Sequence, residues 1–295
     1  MIIWSHGGED RSEAANALEE WSRWTAQAGY LTVTPAHRSR TALEQDAYCA
    51  GLGIPMADCA ASSALSWDRP NDIIAVINEV EQMAMQGSFA GRIDRNKVAV
   101  GGWSAGSTGP LSVAGATRFF TSTMVASFLD PRVVAFVILS PSGPGAIGFF
   151  DTDFQQPTTS WDWIQRPVLV ASGEGDTKKC MNSHDCFQTP SRRRIAFERM
   201  PAGIKHLMYI NDIETTHDAF SLDVADCVSK GCFCGQVHGV PRLAAIGGGG
   251  VSGRLCRRKR DRVLLAAHAA DRDRELRRGG VDQRGARKPR VGPGG

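Results

Sequence analysis

The stretch Gly102-Trp103-Ser104-Ala105-Gly106 has the residue types and the setting for covalent chemistry. Its spacing is G-x-S-x-G, and it follows directly on the β-rich run Lys97-Val-Ala-Val-Gly. That context predicts a sharp turn from strand to helix with Ser104 at its tip. Glycines flank such a turn because a Cβ there would collide with neighbouring chain. The turn raises Ser104 Oγ above the sheet edge. It also leaves the Ala105 N–H at a helix start, where it can stabilise a developing negative charge. The competing reading is a plain Gly/Ser turn in a strand-to-helix connection.

A serine hydroxyl is a poor nucleophile at neutral pH and needs a base. Of the seven histidines, His217 follows the short apolar run Leu207–Ile210 and lies C-terminal to every other candidate. His184 precedes that run and is its main rival. The carboxylate that would orient the base is expected after an intermediate strand, and Asp176 stands there, in Ser172-Gly-Glu-Gly-Asp176 after Pro167-Val-Leu-Val-Ala. It would accept the imidazole N–H and hold the tautomer whose other nitrogen faces Ser104. Glu174 is an alternative. Asp218 is weaker, since adjacent side chains of an extended chain point apart. Ser5-His6-Gly7-Gly8 follows the first apolar run, where the second oxyanion donor belongs, with Gly8 N–H the first choice. His6 reads as a packing and hydrogen-bonding residue beneath this loop.

These groups need elements to carry them. Ile2–Ser5 reads as a buried strand, residues 12–28 as a helix closed by Gly29, and residues 30–35 as a second strand, a βαβ unit with a parallel pair. Residues 36–68 show no sustained period and read as a lid-like excursion over the sheet. From Pro70, in the opening turn, a helical pattern places Ile73, Val76, Ile77, Val80 and Ala84 on one side. Strands are predicted at Lys97–Gly102, Val133–Ser140, Pro167–Ser172 and Leu207–Ile210. The implied fold is α/β, a mostly parallel sheet with helices on both faces, and such sheets bind ligands beyond their carboxyl ends. Phe149, Phe150, Phe154, Trp161 and Trp163 are candidates for an apolar acyl or aryl site, with core and lid packing the alternative.

The chain has 295 residues, 42% hydrophobic and 22% charged, which argues against wholesale disorder and against a fibrous repeat. Residues 251–295 carry 14 Lys and Arg against 5 Asp and Glu, leaving 20 against 26 for the rest. An acidic body with a basic tail speaks against nucleic-acid binding by the whole chain. The expected division is 1–235 as a catalytic domain and 236–295 as a Gly/Arg-rich, disordered tail containing Gly247–Gly250 and Arg257-Arg258-Lys259-Arg260. No stretch is long and apolar enough for a transmembrane span. The eight cysteines include neighbours in sequence, Cys49 with Cys59 and Cys180 with Cys186, expected to form local disulfides, with buried thiols the competing reading, and this favours slightly a secreted or periplasmic location over a cytoplasmic one. Cys227, Cys232 and Cys234 lack the spacing of a zinc site.

Taken in order, each after its strand, Ser5-His6-Gly7-Gly8, Gly102–Gly106, Asp176 and His217 resemble the α/β-hydrolase superfamily. Within it they are most similar to the dienelactone hydrolase-like and platelet-activating-factor acetylhydrolase-like branch. GYLTVTPAHR, RPNDIIAVINEV, AGRIDRNKVAVGG and RPVLVASGEGDT share in that likeness, which spans about residues 1–225. The resemblance implies serine-dependent hydrolysis of carboxylic esters through an acyl-enzyme. The expected partner is a small ester, lipid-like esters included, with no metal or organic cofactor. The runner-up is a non-catalytic scaffold or binding protein of the same fold. The sequence departs from the family pattern in lacking antiparallel strands before the His-Gly loop, in Pro110 after the nucleophile, and in its basic ending.

Overall fold

The computed structural model describes residues 1–8, 18–55, 61–86, 89–119, 125–143, 160–179 and 187–221, without the side chains of 61–64 and 119. The chain divides into two units, Met1–Arg257 and Arg258–Gly295, and the second lies outside the described residues.

Six strands form one sheet. β1 (Ile2–Ser5) and β2 (Thr32–Val33) come first, then β3 (Val98–Trp103), β6 (Val133–Leu139), β7 (Val168–Gly173) and β10 (Lys205–Ile210). Their order is β10-β7-β6-β3-β1-β2, and every pairing is parallel. All six answer to apolar runs read from the sequence. Two short antiparallel pairs that no run announced accompany them: β4 (Arg118–Phe119) with β5 (Val125–Ala126), and β8 (Lys178–Lys179) with β9 (Phe187–Gln188).

Alternation along the strands assigns the two faces, because successive side chains of a strand point to opposite sides. Ile3, Val100, Ile138 and Val170 join the core under three helices, α3 (Ala61–Met85), α4 (Thr108–Val113) and α5 (Pro190–Arg199). Their neighbours Trp4, Leu139 and Ala171 face Leu18, Trp21 of α1 (Glu19–Gln27) and Phe220. Helices therefore flank the parallel sheet on both faces, an α/β-hydrolase-like fold.

Two helices depart from the expected pattern. The segment 36–68 contains α2 (Ala42–Gly51), opened by Thr41, whose side chain accepts from the Glu44 N–H while Glu44 reaches back to the Thr41 N–H. And α3 begins at Ala61, not Pro70, so Pro70 lies in its interior. A proline there leaves the carbonyl of residue 66 without its helical donor. The Asn71 side-chain amide donates to the Trp67 carbonyl one residue on (2.8 Å), and Ile73 and Ile77 are fully buried under the sheet. Tertiary packing of that apolar stripe outweighs the break.

The local disulfides expected from the sequence are not borne out among the described residues, where no two cysteines stand at disulfide distance. Cys49 is the one described cysteine, a buried group in a small cluster with Tyr48 and Ile54, its sulfur engaged and not a free thiol. Cys59, Cys180, Cys186, Cys227, Cys232, Cys234 and Cys256 lie outside the described residues. So do His184, Phe149, Phe150, Phe154 and the tail 236–295. Among the described residues no helix is long and apolar enough to cross a membrane, and no His, Cys, Asp and Glu group is arranged to hold a metal ion.

Candidate active site

The strand order reverses direction between β1 and β3, which lie side by side with Ser5 opposite Gly102. Parallel sheets open a crevice beyond their carboxyl ends at such a switch point. Here the loops leaving β1 and β3 carry His6–Gly8 and Ser104.

Ser104 opens a 3-10 turn, Ser104–Ser107, immediately after β3, and adopts φ 56°, a left-handed conformation rare for a residue with a side chain. The flanking glycines are sterically required. A Cβ on Gly102 would meet the Gly106 carbonyl oxygen at 2.2 Å, and one on Gly106 would meet the Ser5 and His6 carbonyl oxygens at 2.1 and 2.3 Å. The turn is pinned by Ser107 Oγ, which donates to the Ser104 carbonyl (2.6 Å), with Ser142 Oγ at 3.3 Å from the same oxygen. Pro110 is accommodated inside α4, whose residues are all buried.

Ser104 remains half-buried, and its Oγ lies 2.7 Å from His217 Nε2. His217 comes from the turn His217–Phe220 beyond β10 and is 3% exposed. Its other nitrogen, Nδ1, faces Asp176 Oδ1 at 3.1 Å and Ser140 Oγ at 2.6 Å. Ser140 Oγ also donates to Asp176 Oδ1 (2.8 Å). A carboxylate only accepts, so the Ser140 hydrogen points to Asp176 and the Ser140 oxygen accepts Nδ1–H. That assigns the Nδ1–H tautomer and leaves the Nε2 lone pair for the Ser104 hydroxyl. Ser140, Asp176 and His217 thus form a buried, hydrogen-bonded Ser–Asp–His set, with Ser104 on the open side of the imidazole. This is the arrangement of a serine hydrolase triad.

Burial pushes His217 below its ordinary pKa and the Arg193 guanidinium acts in the same direction, while Asp176 and Asp218 oppose. The imidazole is therefore neutral at neutral pH, the state a base requires. Trp103 Nε1 donates to the His217 carbonyl (3.1 Å) and its ring lies 5.2 Å from the imidazole, so the first variable residue of the serine motif also seats the histidine.

The loop after β1 is held from beneath. His6 Nδ1–H donates to the Gly7 carbonyl (2.7 Å), and His6 Nε2 accepts the His37 N–H (3.2 Å), a neutral packing role as expected from the sequence. Arg69 of α3 donates to the His6 carbonyl and, at 2.5 Å, to the Gly8 carbonyl. His37 bridges Ser5 Oγ (2.9 Å) and Asp72 (2.7 Å). Gly8 itself has φ 65°. Leu65 of α3 packs on Ala105.

The structure brings Ser104, Asp176 and His217 within hydrogen-bonding reach of one another, and Gly8 and Ala105 lie on the two loops that flank them. Glu174 makes none of the triad contacts above, and Asp218 turns outward to Lys178 (3.5 Å). Trp161 is core, the packing alternative to an acyl or aryl site, whereas Trp163 is 62% exposed and takes no part in core packing. The sequence reading missed Ser140, Trp103 as a seat for His217, Arg69, His37, Asp72 and Arg193. Of these Arg69 had a legible cue, lying one helical turn before Ile73 at the head of the apolar stripe of α3.

No family model and no curated protein matches the chain. Among solved structures it is similar to one described as "LipS and LipT, two metagenome-derived lipolytic enzymes", with TM-score 0.44 and 12% identity over 78% of this chain and 90% of that one. It is also similar to the thermophilic esterase Est2 from the Planctomycetes species Thermogutta terrifontis. The propionate-bound form gives TM-score 0.44 and 13% identity over 78% of each chain. The native form gives 0.43 and 14% over 78% of this chain and 76% of that one. The functional reading rests on the geometry of the site.

Proposed function

We propose that the protein hydrolyses carboxylic esters through an acyl-enzyme formed on Ser104. The observation that carries this reading is the 2.7 Å contact between Ser104 Oγ and His217 Nε2 at a half-buried, strained turn, with the imidazole's other nitrogen committed to Asp176 and Ser140. His217 takes the Ser104 proton as Oγ attacks the ester carbonyl carbon. The carbonyl oxygen, now an oxyanion, is received by the N–H groups of Ala105 and Gly8. His217 then protonates the leaving alcohol, and the C–O bond breaks. Water attacks the acyl-enzyme with His217 again as base, releasing the acid and restoring Ser104. Every proton that moves passes through Nε2, and Asp176 and Ser140 hold Nδ1–H in place throughout. The finer assignment, to the dienelactone hydrolase-like and acetylhydrolase-like branch with lipid-like esters among its substrates, is supported by the sequence stretches that resemble it.

Ser104→Ala is expected to abolish turnover of p-nitrophenyl esters, with a loss of about 10⁴-fold or more in kcat, and to abolish labelling by a fluorophosphonate. Undiminished turnover in the variant would defeat the proposal. Failure of the folded wild type to label would instead favour a non-catalytic scaffold.

A further inference from the structure

Arg193 is a buried full charge in contact with the triad for which simple ester hydrolysis supplies no task. It lies on α5, 2% exposed, against Asp176, which is 0% exposed. Its Nε is 2.7 Å from Asp176 Oδ1 and donates to the Asp176 carbonyl at 3.0 Å. Its Nη1 donates to the carbonyls of Ser140 (3.0 Å) and Pro141 (2.9 Å). One planar fork thus fixes the chain just beyond β6 and just beyond β7, the two segments that enclose His217 Nδ1. Around Asp176 Oδ1 lie Arg193 Nε as an ion pair at 2.7 Å, Ser140 Oγ at 2.8 Å and His217 Nδ1 at 3.1 Å, and the histidine's contact is the longest. A guanidinium stays protonated even when buried, and charges out of water are little screened.

We propose that Arg193 is a positioning residue of the triad: its guanidinium locks the Asp176 carboxylate and the Ser140 turn around His217 Nδ1 and draws off part of the negative charge otherwise offered to the imidazolium. This inference rests on the Ser104–His217–Asp176 reading and deepens it. The groups facing His217 are Asp176 and Ser140 at Nδ1, Ser104 at Nε2, Arg193 behind the carboxylate, Trp103 on the ring face, and the neighbouring Asp218, itself paired with Lys178. With the carboxylate shared, the imidazolium releases its proton more readily. His217 therefore stays neutral, and competent as a base, further into acid, and once protonated it gives its proton more readily to a leaving alcohol.

The test is the pH dependence of kcat/KM for p-nitrophenyl butyrate in the full chain, with the rate of fluorophosphonate labelling of Ser104 followed in parallel. In the wild type the acid limb is expected below pH 6.5, the ordinary histidine value; a limb at or above it overturns the proposal without recourse to any variant. In Arg193→Met the limb is expected to move up by about one pH unit, a tenfold loss on the acid side beyond any loss on the plateau. Arg193→Gln, which keeps a donor near Asp176, is expected to show the same movement if the methionine variant does not fold. Arg193→Lys retains the charge and is expected to keep the limb in place with a lowered plateau, because one ammonium cannot serve the carboxylate and the separate carbonyls together. A lowered plateau with an unmoved limb in both neutral variants would reduce Arg193 to packing and overturn the inference. Labelling of Ser104 in those proteins would meanwhile leave the ester-hydrolase reading standing, whereas an unlabelled wild type defeats both.

Discussion

Two serines of the site occupy left-handed backbone, Ser104 at φ 56° and Ser140 at φ 46°. Each conformation costs about 1–2 kcal/mol for a residue with a Cβ, and strain of this kind concentrates where side chains must be aimed. For Ser104 the strain projects Oγ toward His217 Nε2. For Ser140 it sets a hydroxyl between Asp176 and His217 while the carbonyl turns to Arg193. Replacement of Ser140 separates the two contributions. Ser140→Ala keeps the strain and loses the hydroxyl, whereas Ser140→Gly loses the hydroxyl and relieves the strain. Thermal unfolding should therefore find the glycine variant more stable than the alanine variant by about 1 kcal/mol. The reverse order would mean that the backbone at Ser140 is unstrained. At this scale the triad was legible because each member follows an apolar run within a recognisable local setting: glycines around Ser104, Ser-Gly-Glu-Gly before Asp176, and a terminal position for His217. Ser140 was not, since a serine closing the run Val133–Leu139 looks like any strand end. Arg193 was hidden in Arg192-Arg193-Arg194, which reads as a solvated face. Only the helical period of α5, which buries Arg193 together with Ala196, singles out the middle one.

At the scale of elements, α3 supplies more than its apolar stripe. Its first turns extend past Pro70 over the crevice, so that Leu65 meets Ala105 and Arg69 reaches the carbonyls of His6 and Gly8. A proline reads locally as a helix start, and that reading fails here because the packing on both sides of Pro70 is set by residues distant in sequence. In α2, by contrast, the Thr41–Glu44 capping box was present in the sequence and marks the helix start. The extended α3 makes Arg69 a brace of the loop expected to carry one oxyanion donor. Arg69→Ala removes the clamp, and kcat for p-nitrophenyl esters should fall by about 10–100-fold, less than loss of a donor outright, with KM nearly unchanged. Arg69→Lys should recover only part of the loss, because an ammonium lacks the fork that spans both carbonyls. A rise in KM at constant kcat would instead place Arg69 in ground-state substrate binding.

Across the whole molecule, both faces of the sheet are closed by apolar clusters, and buried polar groups gather at the strands' carboxyl ends: Ser5, His6, His37, Arg69, Ser140, Asp176, Arg193 and His217. Sensitivity to acid should therefore be concentrated in that layer. His37 is 3% exposed, and burial lowers its pKa to about 4; the Arg69 cation acts in the same direction, and the hydrogen bond to Asp72 and the charges of Asp72 and Asp68 oppose. A histidine at its ordinary value near 6.5 in the unfolded chain takes up a proton before the folded one does. The stabilisation from a neutral His37 is thus complete above about pH 6.5, declines as the pH falls toward 4, and is exhausted below that. Over this window it amounts to about 3 kcal/mol, and the lowered pKa of His217 adds in the same direction. Urea midpoints at pH 7.5, 5.5 and 4.5 should fall steadily for the wild type. In His37→Gln the bridge from Ser5 to Asp72 is weakened, so the midpoint at pH 7.5 is expected to be lower. Its decline toward pH 4.5 should nevertheless be shallower, since the residue that resists protonation is gone. A decline as steep as that of the wild type would assign the acid sensitivity to other groups and show that His37 is protonated without cost to the fold.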